Sequence, residues 1–198
     1  VNRLRPKIKA LLRTRGIYDV PTLIQQFETH IWSYLEYHNG ALVHATSTVL
    51  QRLDHLQISF LNELSITEDA AFLNYNFPPL CLRRDIGLLG FLHKRVLGQS
   101  HPGVESLLQM VPHAHPWHDK QIDSKLSQCV THHHLFLRSL FGKILIYNRL
   151  PQVWVDISTV SGFQRELTKM AMDSCRRNNA HWKHAFHTCS EYWQARQL

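Results

Sequence analysis

Pro21-Thr22-Leu23-Ile24-Gln25-Gln26-Phe27-Glu28-Thr29-His30-Ile31-Trp32-Ser33-Tyr34-Leu35-Glu36-Tyr37-His38-Asn39-Gly40 carries the periodicity that decides the fold class. Leu23, Ile24, Phe27, Ile31, Tyr34, Leu35 and His38 recur at three- and four-residue steps, which gathers side chains on one face of a helix. Pro21 suits a first helical turn, where its missing N–H costs no hydrogen bond. Asn39-Gly40 offers the left-handed backbone that ends helices. The stretch predicts a helix with one apolar stripe, and such a stripe needs other helices to cover it.

The same pattern extends down the chain. A second helix is expected near 47–64, with Leu50, Leu53, Leu56, Phe60, Leu61 and Leu64 on one face. Ser65 with Glu68 has capping-box spacing and opens a short helix across Ala70 to Tyr75, broken by Phe77-Pro78-Pro79. A third long helix runs from about Leu82 to Leu97, with Ile86, Leu89, Phe91, Leu92 and Val96 inward and Gly98 as its stop. Gly87 and Gly90 inside it allow close packing. Val104 to Met110 reads as a brief helix. Residues 111–123 hold two prolines and no periodicity, the composition of a linker. Beyond it, Phe136, Leu140, Phe141, Ile144, Leu145 and Tyr147 make an apolar face ending at Leu150-Pro151, and Ser158 caps a final helix holding Val160, Phe163, Leu167 and Met170. Val153 to Ile157 is the one candidate for an extended piece. The class is all-α, an irregular helical bundle or two small helical subdomains, divided as 1–110, a linker at 111–123, and 124–198.

The 198 residues suffice for a real core, and 44% hydrophobic with 19% charged residues is globular composition rather than disorder. No stretch approaches the roughly 18 apolar residues of a membrane span, so no membrane partner is expected. The start, Val1 followed by Asn-Arg-Leu-Arg-Pro, has neither an initiator Met nor an apolar signal core and reads as a piece of something longer. Cys81, Cys129, Cys175 and Cys189 lack CxxC spacing and read as thiols of a reducing compartment, intracellular, nuclear or cytoplasmic.

Net charge is +7, and its placement matters more than its size. Arg3, Arg5, Lys7, Lys9, Arg13 and Arg15 all precede the first acid, Asp19. Such a block can contact phosphates by releasing condensed counterions, or be a solvated face, or an interdomain surface. Arg165, Lys169, Arg176, Arg177 and Lys183 form a second candidate for backbone contact. Arg83-Arg84-Asp85 divides between phosphate binding and structure; the Pro-Pro-Leu lead-in favours structure. Trp32, Trp117, Trp154, Trp182 and Trp193 are scattered, and Trp32 reads as packing.

Fifteen histidines invite a metal reading. His113, His115 and His118 crowd the linker, and His132-His133-His134 are consecutive. Cys175, His181, His184, His187 and Cys189 have the ligand types zinc prefers, but steps of three drift round an α-helix and cannot all meet one ion. Zinc-knuckle spacing is absent. Satisfied or solvent-facing histidines are expected, with no cofactor. No Gly-x-Ser-x-Gly elbow, phosphate loop or carboxylate–histidine phrase supports a nucleophilic enzyme or metal-dependent hydrolase.

Four phrases then occur in order. They are Tyr34-Leu35-Glu36-Tyr37-His38-Asn39-Gly40-Ala41; Leu50, Leu53 and Leu56 with Gln57 and Phe60-Leu61; Leu73-Asn74-Tyr75-Asn76-Phe77-Pro78-Pro79-Leu80 into Arg83-Arg84-Asp85-Ile86; and Tyr147-Asn148-Arg149-Leu150-Pro151 followed by Ser158, Val160 and Phe163. Together, over residues 5–170, this order resembles the region after the polymerase core in non-LTR retrotransposon reverse transcriptases. Two departures are plain: Tyr147 stands where that family often has Trp, and His38-Asn39 interrupt its Tyr-Gly step. The resemblance implies a helical thumb-like and post-thumb region that grips template–primer or packs on the catalytic core of the same polyprotein. Polymerase chemistry needs paired aspartates holding two metals, which the family places in a Tyr-x-Asp-Asp turn, and this sequence contains no such turn. The expectation is a non-catalytic helical fragment of such a protein with nonspecific RNA or DNA backbone binding. The alternative is an α-helical protein-interaction module without a nucleic-acid role.

Overall fold

The computed structural model describes residues 3–36, 42, 44–111, 121–123, 136 and 138–187. The fold is all-α, an irregular helical bundle; among the described residues the only extended pairing is an isolated bridge between Met110 and Ile122. The chain divides into two compact units, residues 1–84 and 85–198.

The first unit contains α1 (Leu4–Arg13), α2 (Val20–Phe27), a π-helical turn (Glu28–Trp32), α3 (Ser33–Glu36), α4 (Ser47–Glu63) and α5 (Glu68–Tyr75). It also holds the start of α6 (Leu80–Val96). Asp19 begins α2 by accepting a hydrogen bond from the Thr22 N–H at 3.1 Å; the Thr22 side chain, and after it this N–H, hold its carboxyl below the usual carboxylate range. The core is an aromatic knot. Phe27 lies 4.5 Å from Phe60 and meets Phe77 edge-on at 5.5 Å, and all three are fully buried. Leu4 and Ile8 of α1 close one side of this cluster.

The π turn alters the predicted stripe. One extra residue in the turn rotates everything after it. Trp32 therefore enters the core, stacked 4.8 Å from Phe77, while Tyr34, expected inside, is 61% exposed. His38 to Ala41 of the first phrase lie outside the described residues, as does Tyr37.

Helix α4 ends at Leu64 in a Schellman turn: the Ile66 N–H donates to the Leu61 carbonyl at 3.0 Å and Ser65 takes a positive φ of 58°. Ser65 is thus committed to ending one helix and does not start the next. Thr67 caps α5 instead, accepting from the Ala70 N–H at 3.2 Å. Gly98, at φ +67°, closes α6 in the same way, as the sequence leads one to expect.

The second unit contains the rest of α6, α7 (Pro102–Leu107), α8 (Leu140–Tyr147), α9 (Gln152–Val155), α10 (Val160–Arg176) and a 3₁₀ turn (Trp182–His184). Gly90 brings α6 against Gln164 of α10, because a Cβ there would stand 2.3 Å from the Gln164 amide nitrogen. His93 is fully buried and stacks on Phe163 at 4.1 Å. Its Nε2 is 2.8 Å from the Ile157 carbonyl, which can only accept, so Nε2 carries the proton in the neutral ring. Nδ1 then accepts from the Tyr147 hydroxyl at 2.9 Å. Burial pushes that phenol far above its ordinary value and keeps it a donor.

Two expectations need correction here. Phe91 is 40% exposed because α6 turns Leu88, Leu89 and Leu92 inward and leaves Phe91 between those rows. Val153 to Ile157 is not extended: Gln152–Val155 is a helical turn, begun after Pro151 by Trp154 and Val155 N–H groups donating to the Pro151 carbonyl. At the two ends of the predicted linker, residues 109–111 and 121–123 pair through their backbones. The Val111 N–H donates to the Gln121 carbonyl at 2.9 Å, and the Asp123 N–H to the Gln109 carbonyl at 2.7 Å. Asn148 holds both backbone groups of the buried Ile122, at 3.0 and 2.8 Å. Residues 112–120, with His113, His115, Trp117 and His118, lie outside the described residues.

Helix α10 is capped by Thr159, one residue after Ser158, whose hydroxyl accepts from the Gly162 N–H at 3.2 Å. A Cβ at Gly162 would stand 2.7 Å from that hydroxyl and 3.0 Å from Ile157. Gly162→Ala is expected to lose the cap and lower stability by about 1–2 kcal/mol, as would Thr159→Ala. Urea unfolding checks this; unchanged midpoints in both variants would show the cap to be idle.

Candidate nucleic-acid interface and buried ion pairs

Helix α1 sorts its side chains by face. Leu4 and Ile8 are buried and Leu11 and Leu12 half-buried, while Arg3, Arg5, Lys7, Lys9 and Arg13 are exposed. Four-residue spacing sets these cations in two rows, Arg3–Lys7 and Arg5–Lys9–Arg13, the longer spanning about 12 Å. Each like-charged pair four residues apart costs a helix about 0.2–0.5 kcal/mol, and positive charge in the first turn opposes the helix dipole. No acid stands in that first turn and no side chain caps it. Among the described residues Arg3, Arg5, Lys9 and Arg13 form no ion pair. Arg15, beyond the helix, pairs with Glu63 at 3.1 Å on the surface, a contact of little energetic weight. Lys7 lies 3.7 Å from the centroid of the Tyr34 ring, and its ammonium lowers the Tyr34 phenol below its ordinary value.

Arg83 and Arg84 are placed differently. Arg83 makes a two-point pair with Glu36, its second nitrogen 2.8 Å from Oε2, and its guanidinium lies 3.6 Å from the Trp32 ring centroid. Glu28, half-buried on the π turn, is raised above the usual carboxylate range by burial, with Arg83 acting against that rise. Arg84 grips both oxygens of Asp54 at 2.8 and 2.9 Å. Both guanidinium forks are thus matched to carboxylates, the geometry in which arginine binds most strongly. Neither is grouped with the α1 rows.

In the second unit Arg176 is exposed and pairs with Asp173 at 2.8 Å, and Arg177 is exposed beside it. Lys169 pairs with Glu166 at 2.6 Å, and Arg165 is exposed. The predicted late cationic group therefore has acids interleaved with it.

The Cys175–His187 set is also spread out. Cys175 is a buried thiol on α10, Cys81 a half-buried one on α6, and His181 and His184 are exposed in the 3₁₀ region. His187 is half-buried, its ring 6.0 Å from that of His184. Among the described residues no three His, Cys, Asp or Glu side chains stand where they can hold a metal ion. Cys129, Cys189, Trp193 and His132 to His134 lie outside the described residues.

Sequence reasoning missed one centre. Lys143, in the apolar run Leu140-Phe141-Gly142-Lys143-Ile144-Leu145-Ile146, is fully buried. Its ammonium sits 2.7 Å from Asp85 and donates to the Phe186 carbonyl at 2.7 Å. The lone lysine inside that run was the available signal, since a lysine among apolar neighbours is either snorkelling or paired. His187 adjoins this centre. Burial lowers its pKa below the ordinary 6.5, and Lys143, His184 and Arg138 push the same way against Asp85.

No protein-family model matches the chain, no curated protein is similar to it at a significant level, and no solved structure matches it. Among the described residues no helix is long and apolar enough to cross a membrane.

Asp85→Asn is expected to destabilise the protein by about 3–5 kcal/mol, because the buried ammonium loses its counter-charge. Replacing both charges (Asp85→Leu with Lys143→Met) should restore most of that loss. Chemical denaturation tests both, and an Asp85→Asn midpoint equal to the parent's would refute the pair's role. The His187 shift has its own signature. The unfolded chain binds a proton more readily, so the contribution is whole above pH 6.5 and is lost as pH falls through the lower folded value. The stability–pH slope in that window should flatten in His187→Gln; an unchanged slope would exclude the group.

Proposed function

We propose that the chain is the helical appendage that follows the polymerase core in a reverse transcriptase of the non-LTR retrotransposon kind, and that it binds RNA or DNA backbone without regard to sequence. In this reading it performs no bond chemistry of its own, since the paired aspartates that hold catalytic metals are not in this sequence.

The observation that carries the binding reading is the pair of cation rows on α1. Five positive side chains stand in solvent on one ten-residue helix and its N-cap, at a cost to that helix which a polyanion would relieve. Contacts among the first three phrases support reading them as one folded piece, and the fourth phrase is built into the packing of the second unit. Glu36 of the first pairs with Arg83 of the third, and Gln57 of the second donates to the Pro78 carbonyl of the third at 2.9 Å. Tyr147 and Asn148 of the fourth hold His93 and Ile122.

A second reading, an interaction module, rests on exposed apolar side chains. Ile17 is 80% exposed beside Tyr18 at 50% in the first unit. Such neighbours suit a protein surface, the polymerase core of the same polyprotein or another subunit. Self-association in sedimentation without nucleic acid would favour it.

Fluorescence anisotropy with unrelated RNA and DNA oligonucleotides tests the first reading. Affinity should fall linearly on logarithmic axes with added salt, and Arg5→Glu with Lys9→Glu should reduce that slope by roughly 0.7–0.9 per contact removed. The same substitutions remove like-charge pairs, so the unfolding midpoint should hold or rise. Absence of any complex at low salt, or a strong preference for one sequence, would sink the proposal.

A further inference from the structure

We infer that Tyr34 is a base-stacking platform, so that the surface formed by α1 and α3 takes single-stranded nucleic acid in preference to duplex. The inference rests on the reading of α1 as a phosphate-binding surface and names the form of nucleic acid it accepts.

Three observations meet at this residue. The π turn at Glu28–Trp32 shifts the register so that Trp32 is buried against Phe77 and Tyr34 faces out. π turns of this kind recur at functional sites because they cost regular hydrogen bonding and reposition a side chain. Tyr34 is 61% exposed, although Ile31, Trp32 and Leu35 on either side of it are buried. Finally, Lys7 reaches the ring at 3.7 Å, so an exposed aromatic and a cation row share one surface. Arg3 lies one turn along α1 on the same stripe as Lys7.

This arrangement matches what an unpaired nucleotide presents. A base with a free face can lie on the exposed part of the phenol ring, and its flanking phosphates then fall beside Lys7 and Arg3. Stacking of this sort tolerates any base, because every base has a π-face. A duplex keeps its bases stacked on one another and offers only phosphates, so it gains the cation rows but not the ring.

The test compares an unstructured single-stranded oligonucleotide, oligo-dT or oligo-U, with a blunt duplex of equal length, over the same series of salt concentrations by anisotropy. Tyr34→Ala should weaken single-strand binding by about 5- to 150-fold, the range base–aromatic stacking spans, and leave duplex binding and its salt slope unchanged. Tyr34→Phe keeps the ring and should bind as the parent does. Equal loss on both substrates, or no loss on either, overturns the inference while leaving the backbone-binding proposal standing. If the parent binds neither substrate, both fall. Because Tyr34 is a surface residue, the urea midpoint of Tyr34→Ala should match the parent's, which separates lost stacking from lost folding.

Discussion

Helix α6 buries polar groups along its whole length, and each needs a partner, because an ion or imidazole taken out of water without one is costly. Arg83 takes Glu36 and the face of Trp32, and Arg84 takes Asp54. Asp85 takes Lys143, and His93 takes Tyr147 and the Ile157 carbonyl. Three adjacent charged residues followed by a buried histidine would destabilise a helix packed only against apolar surface. The surrounding elements supply the counter-groups at defined positions, and that requirement specifies which residue of α6 meets which neighbour. Apolar packing tolerates small slips of register; a two-point arginine–carboxylate pair does not.

The cations of α1 make the opposite case. They lie on a helix whose inner face is held by Leu4 and Ile8, so the helix stays attached whatever its outer face carries. The arginines of α6 are consumed in holding the fold; those of α1 are spare. A count of positive residues treats the two groups alike, and only the difference in partners separates them.

The π turn connects core and surface. It places the larger indole where Phe77 can cover it and leaves the smaller, hydroxyl-bearing ring in solvent beside Lys7. A regular helix through Glu28–Trp32 would bring Tyr34 toward the core stripe and turn Trp32 away from it. One local irregularity thus decides which aromatic packs and which is presented.

The apolar periodicity by itself determined the helical class, the span of α4 and the apolar face of α10, because three- and four-residue spacing is a local property of the chain. Pro78-Pro79 and Gly98 likewise marked the two ends of α6 through backbone preferences that need no neighbours. The cation block before Asp19 was equally legible, since charge placement requires no folding to read. Other features depended on tertiary contact. The role of Lys143 follows from Asp85 and the Phe186 carbonyl, groups 58 and 43 residues away in sequence. The meeting of residues 109–111 with 121–123 follows from backbone pairing and from Asn148, neither of which has a periodic signature. Trp32 packs as its place in the helix suggests, but the turning outward of Tyr34 followed from the π turn, which no apolar pattern within the helix encodes. Spacing reports which face a residue can occupy; only the groups brought opposite it decide whether a polar side chain is buried, and with what.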